Sequence, residues 1–177
     1  MARTKMTKEE QYREIIPQIQ SLIAGETDLI ANMANIAAAL HNTFHFLWTG
    51  FYIVKEYSPY GVSRSEEIIN HKSEIINETI VPTGKELVLG PFQGPIACTR
   101  IPYNKGVCGT AWAQNKTLIV PNVHEFPGHI ACSSASKSEI VVPIRRNNEV
   151  IAVLDIDSAD YNTFDAIDQT YLEKITL

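Results

Sequence analysis

The residues of this 177-residue chain best suited to chemistry are three cysteines, Cys98, Cys108 and Cys132, and three acids in its last third, Glu139, Asp155 and Asp157. In the run GHIACSSASKSEIVVPI, Cys132 has three readings: a half-buried loop filler, a metal ligand or a reactive nucleophile. Three cysteines with no CxxC make an odd set that does not suit a secreted disulfide framework. The expected compartment is the cytoplasm, where thiols stay free to react. His124 and His129 lie close to Cys132, yet the spacing from Cys108 through both histidines to Cys132 matches no compact zinc finger or ribbon, and no bound metal is expected.

In VLDIDS, Asp155 and Asp157 stand two residues apart on a predicted strand, so both side chains leave one face while Leu154 and Ile156 leave the other. Two like charges on an enclosed face repel, and desolvation adds to the repulsion. Glu139 opens the preceding strand, and a hairpin folds it back toward the pair. A pocket walled by acids suits a ligand that carries a cation, such as an ammonium group, or a reaction that needs a proton donor. The plainer alternative is a solvated strand end, and a magnesium or calcium site needs more oxygen ligands than this neighbourhood supplies. Trp48, alternating with Phe46, Gly50 and Tyr52, either floors such a pocket or packs the core.

Two helices must lead the chain. Thr7 and Glu10 form a capping-box pair ahead of Tyr12, Ile15, Ile16, Ile19, Leu22 and Ile23 on one helical face. After Gly25, Asp28 caps a second helix with Leu29, Met33, Ile36, Ala37 and Leu40 on its apolar face. FLWTGFYIVKEY, residues 46–57, reads as a central strand, and further strands are predicted at 86–92, 96–101, 117–120, 139–144 and 150–157. The Arg146-Asn147-Asn148-Glu149 turn makes the last two an antiparallel hairpin. A short helix is predicted over 109–115, and Thr163 is predicted to cap a final helix carrying Ile167, Tyr171, Leu172 and Ile175. Residues from about 57 to 85 read as an insertion holding a short helix or an extra strand pair. Helices first and hairpin-linked strands after them indicate an α+β domain.

Composition narrows the function classes. With 45% hydrophobic residues and a net charge of −5, the chain is an ordinary globular protein rather than a basic nucleic-acid binder. MARTKMTKEEQYRE lacks the apolar core of a signal peptide, and no membrane span is expected. Neither G-x-x-x-x-G-K-[ST] nor G-x-G-x-x-G occurs.

LVLGPFQGPIAC, RIPYNKGVCGTA, VPNVHEFPGHIAC, KSEIVVPI and VIAVLDIDS, in that order and with WTGFY upstream, closely resemble the free methionine-(R)-sulfoxide reductases, stand-alone enzymes built on the GAF domain. The resemblance runs from about Leu47 onward and takes in all three cysteines and all three acids. It implies a single GAF domain over 1–177, with N-terminal helices at about 7–43, a six-stranded antiparallel sheet flanked by helices, and a ligand pocket closed by loops. It implies that Cys132 is the nucleophile, Cys98 a resolving cysteine and Cys108 a second resolving or relay thiol. Glu139, Asp155 and Asp157 would hold the substrate's polar groups, with Trp48 against its methyl. No bound cofactor is implied; thioredoxin is the external reductant, with NADPH acting indirectly through thioredoxin reductase, and a homodimer is common. The chain departs from the family pattern in its longer 57–85 segment and in Ser133, where an acidic or amide residue often follows the nucleophile. The alternative is a GAF-type small-molecule binding or redox-sensing module without turnover. Such a module is expected to need an effector domain, for which this length leaves no room.

Overall fold

The protein is described by a computed structural model over residues 6–56, 74–76, 79–81, 84–130 and 132–175. Helix α1, Lys8–Ile23, opens with the expected capping box: Thr7 N–H donates to Glu10 Oε2 at 2.8 Å, and Glu10 N–H to Thr7 Oγ1 at 3.2 Å. Helix α2, Leu29–Phe44, is capped by Asp28, which accepts from the Ala31 amide. Tyr12, Ile16, Ile19, Met33, Ile36, Ala37 and Leu40 are buried as their spacing predicts, but Leu22 turns outward and is exposed.

The strands are β1 (Trp48–Glu56), β2 (Glu74–Ile76), β3 (Thr79–Val81), β4 (Lys85–Gln93), β5 (Arg100–Pro102), β6 (Leu118–Val120), β7 (Ser138–Arg146) and β8 (Glu149–Ser158). Six of them form one antiparallel sheet in the order β5-β4-β1-β8-β7-β6, which is the α+β, GAF-like architecture expected; β2 and β3 pair separately within the 57–85 segment. The rest of that segment, Tyr57 included, lies outside the described residues apart from Gly84 and Lys85. Asn147 and Asn148 both take positive φ, 52° and 66°, giving the tight turn that sets the β7–β8 register.

Strand alternation divides the core in two. Phe51, Ile53, Ile140, Val142, Leu154 and Ile156 face α1 and α2. Trp48, Tyr52, Val141 and Val153 face the other way, toward helix α3 (Gly106–Gln114). Phe46 does not alternate with Trp48 as expected: it precedes the strand and packs with Phe164 in the helix-side core. Three further boundaries move. The strand predicted at 96–101 shrinks to Arg100–Pro102, because residues 95–99 form a loop in which Ile96 is 89% exposed. Helix α3 begins at Gly106, three residues earlier than its pattern suggests.

The final helix, α4 (Ala166–Leu172), is capped by Asp165 rather than Thr163, whose hydroxyl instead bonds Ser158 Oγ at 2.7 Å. Asp168 closes that capping box and ties α4 to α1. Fully buried, it accepts from Tyr12 Oη at 2.9 Å, Lys8 Nζ at 2.6 Å and the Asp165 amide at 2.8 Å. Removing one partner of a buried charged network strands the others without water. Asp168→Ala is therefore expected to lower stability by about 2–4 kcal/mol, read as a drop in the urea midpoint at unchanged m-value; a loss within ±0.5 kcal/mol would show the network to be ornamental.

Candidate active site

The β1, β7 and β8 register brings the acids together. Trp48 pairs with Asp157, Gly50 with Asp155 and Glu139 with Asp157, so all three carboxyl groups stand on one sheet face beside Trp48. They line a cavity of about 40 Å³ together with Trp48, Tyr52, Cys108 and Cys132. No lysine or arginine is among its described lining residues.

Glycine makes this close approach possible at two points. A Cβ on Gly50 would overlap Phe92 and Trp48. Gly94 has φ +127°, and a Cβ there would meet Leu47 O at 2.7 Å. The loop that follows Gly94 is held from below by two buried aromatics of β1. Trp48 Nε1 donates to Pro95 O at 3.1 Å, and Tyr52 Oη donates to Cys98 O at 3.0 Å. The Trp48 ring stacks with those of Tyr52 and Phe92.

Cys98 and Cys132 are joined by a disulfide, with their Cα atoms 5.3 Å apart. The bridge links the loop after β4 to the loop before β7 over the cavity. Cys108 lies beneath, on α3, buried and unbridged, with its thiol donating to Glu139 Oε1 at 3.8 Å. Ser133 accepts from the Ala135 amide at 3.2 Å and so shapes the turn after Cys132. Ser136 donates to Asp157 Oδ1, and the Lys137 amide donates to Ser158 O at 2.8 Å, which pins the end of the polar run to the rim of β8. The quartet Cys108, His124, His129 and Cys132 does not assemble as a site, because Cys132 is committed to the bridge.

Burial dominates the electrostatics. It pushes the Glu139 and Asp155 carboxyls well above their usual range, and repulsion from the neighbouring acids pushes the same way. Asp157 is raised to about 6, again by burial and against the pull of the Ser136 hydroxyl. The Cys108 thiol is raised by burial and by Asp155 and Glu139. Asp155 Oδ1 is buried without a hydrogen-bond partner among the described residues. The arrangement can therefore hold protonated carboxyls near neutral pH, accept a cationic group at Asp155, and interconvert thiol and disulfide at Cys98 and Cys132.

Sequence reasoning set Tyr52 on the Trp48 face without giving it a role in the site, and it missed Ser136. Ser136 is one of several serines in the run and carried no distinguishing mark.

A family model described as the GAF domain matches residues 26–176. A GAF domain-containing protein A of Dictyostelium discoideum is 51% identical, the match covering 97% of this chain and 92% of that protein. A free methionine-R-sulfoxide reductase of Escherichia coli is 39% identical over 96% of this chain and 87% of its own. Among solved structures, a free methionine-R-sulfoxide reductase of Neisseria meningitidis, in complex with its substrate, superimposes with TM-score 0.77 at 44% identity, covering 97% of this chain and 87% of that one.

A carboxyl held neutral by the fold makes stability depend on pH. Asp157 is raised in the folded protein from its ordinary 3.8 to about 6. Its contribution is complete below about pH 4 and is lost as pH rises through 6, because only the unfolded chain ionises freely in that window. Asp157→Asn cannot ionise and can still accept from Ser136. Relative to the natural protein it is expected to gain roughly 2–3 kcal/mol between pH 4 and pH 7.5, measured by urea unfolding at both pH values. Parallel pH curves for the two proteins would contradict the raised carboxyl.

Proposed function

The chain belongs to the GAF-domain free methionine-R-sulfoxide reductases, a family of oxidoreductases, and from that premise we propose that it reduces free L-methionine-(R)-sulfoxide to L-methionine through Cys132. The observation that carries this reading is the pairing of Cys98 with Cys132 directly above a cluster of buried acids. The choice of epimer comes from the family alone.

In the reduced protein the Cys132 thiolate attacks the sulfoxide sulfur while a protonated carboxyl, Glu139 or Asp157, gives its proton to the sulfoxide oxygen. The sulfur–sulfur bond of the resulting adduct and the substrate's sulfur–oxygen bond both break as the protonated oxygen passes to the Cys132 sulfur; methionine leaves reduced by two electrons, and Cys132 is left as a sulfenic acid. The Cys98 thiol then attacks that sulfur, water leaves, and the bridge forms. An external dithiol, thioredoxin in this reading, attacks the bridge and takes the oxidation away by exchange, with NADPH supplying electrons through its reductase. Cys108 serves at most as a relay thiol. Asp155 receives the substrate ammonium, Trp48 lies against the methyl, and amides of residues 132–136 meet the carboxylate. A site that pairs both charged ends of a free amino acid discriminates against methionine within a polypeptide, where those charges are missing.

We read residues 1–177 as one GAF domain acting as a homodimer in the cytoplasm. No helix among the described residues is long and apolar enough to cross a membrane.

Purified protein with thioredoxin, thioredoxin reductase and NADPH is expected to consume NADPH on addition of free L-methionine-(R)-sulfoxide, but not of a peptide containing it. Cys132→Ser should abolish turnover. Cys98→Ser should stop after one turnover with a trappable sulfenic acid on Cys132. Glu139→Gln should lower kcat by on the order of 100- to 10,000-fold if it is the acid. NADPH consumption no faster than with Cys132→Ser would leave a GAF-type binding or redox-sensing module in its place.

A further inference from the structure

Cys108 is the part of the site that the sulfoxide chemistry uses least. It is fully enclosed, it is not in the bridge, and an ammonium ligand has no use for a thiol. Its Sγ, a Glu139 oxygen and an Asp155 oxygen all lie within 4.8 Å of one another. These three come from separate elements, α3, β7 and β8, and converge on the cavity. Asp155 is 6% exposed, and its Oδ1 is buried with no hydrogen-bond partner among the described residues. With no lysine or arginine among the described residues lining the cavity, that oxygen is an open acceptor for a cation.

We propose that Cys108, Glu139 and Asp155 form a binding site for a thiophilic divalent cation, zinc by its chemistry. One sulfur and two carboxylate oxygens are a donor set suited to zinc, and neither magnesium nor calcium would choose the thiolate. Donors around a tetrahedral zinc stand about 3.3–3.5 Å apart, so the trio must close by roughly 1 Å, within the reach of side-chain rotation. The cavity supplies the fourth position, open to water. Coordination replaces the Cys108 S–H bond by a sulfur–metal bond and releases that proton to solvent, with no change in oxidation state. A cation held there occupies Glu139 and Asp155, so it and the sulfoxide should exclude each other; this consequence rests on the function proposed above.

The bridge makes the test specific. The chain has three cysteines, and with Cys98 and Cys132 joined, Cys108 is the sole thiol. The oxidised full-length protein titrated with cadmium alone should show thiolate-to-cadmium charge-transfer absorption saturating at one cadmium per chain. Asp155→Asn and Glu139→Gln, which keep every cysteine, should each weaken binding by roughly 10–100-fold. No absorption in the natural protein overturns the site, and so does undiminished affinity in both variants, which would reduce it to a lone thiol.

The Cys98→Ser, Cys132→Ser double variant has the same single thiol but neither bridge nor turnover. Free methionine sulfoxide should shift its cadmium titration to higher metal. Absence of that shift, with the oxidised protein still binding cadmium, overturns the sulfoxide assignment and leaves the cation site standing.

Discussion

Glu139 and Asp157 face each other across neighbouring strands with Asp155 one step along the same face, and an enclosed site with no lysine or arginine among its described lining residues opposes ionising all three. That constraint depends on register. A slip of one residue by the β7–β8 hairpin against β1 would send the acids to the helix side and bring Ile140, Leu154 and Ile156 into the cavity. The apolar face under α1 and α2 forbids the slip, because those three side chains are fully buried there. The helices that open the chain take no part in the chemistry, yet their packing keeps the carboxyls where desolvation can hold them neutral.

The two loops that close the site are anchored differently. The Cys98 loop is fixed through its main chain by hydrogen bonds from Trp48 and Tyr52, two buried side chains of the central strand. The Cys132 loop is tied at its far end, through Ser136 and Lys137, while Cys132 itself is secured locally by the Ile130 carbonyl and by the bridge. Closing a loop of 34 residues with a disulfide is worth about 3–4 kcal/mol of chain entropy. Reduction gives up that constraint, and the long-range ties left to the Cys132 loop lie at Ser136 and Lys137, away from the thiol, whereas Tyr52 holds the carbonyl of Cys98 itself. Bridging therefore brings a freer thiol to one that is already held, an order that suits Cys98 as the fixed partner.

What could be read in the sequence followed local physics. Period-two and helical spacings gave the sheet faces and the buried sides of α1 and α2, and the Asn147-Asn148 pair gave the hairpin. The convergence of Glu139 with the aspartates followed from that hairpin. Boundaries failed where tertiary contacts overrode local pattern. Ile96 carries a strand-like side chain, but the Trp48 and Tyr52 hydrogen bonds hold its segment as a loop. Thr163 has the chemistry of a cap, but Ser158 claims its hydroxyl and Asp165 takes the role. Phe46 left the pocket face because the strand begins two residues later. That Tyr52 reaches the carbonyl of Cys98, 46 residues away, depends on how β4 returns beside β1, and no local pattern encodes it.

Three thiols in one small site need not be equivalent, and burial separates them. A thiolate is the reactive form, and an apolar, acid-lined setting opposes its formation. Cys108 sits in that setting beside Glu139 and Asp155, so its thiol stays protonated unless a cation takes the proton's place. Cys132 lies at the rim, only partly buried, next to amides of its own loop and farther from any enforced neutrality. In the mechanism proposed above, the acids that give a proton to the sulfoxide oxygen are the same groups that keep Cys108 protonated. On that proposal, a nucleophile at the rim rather than on the floor lets one cluster serve as acid without disarming the thiol it works with.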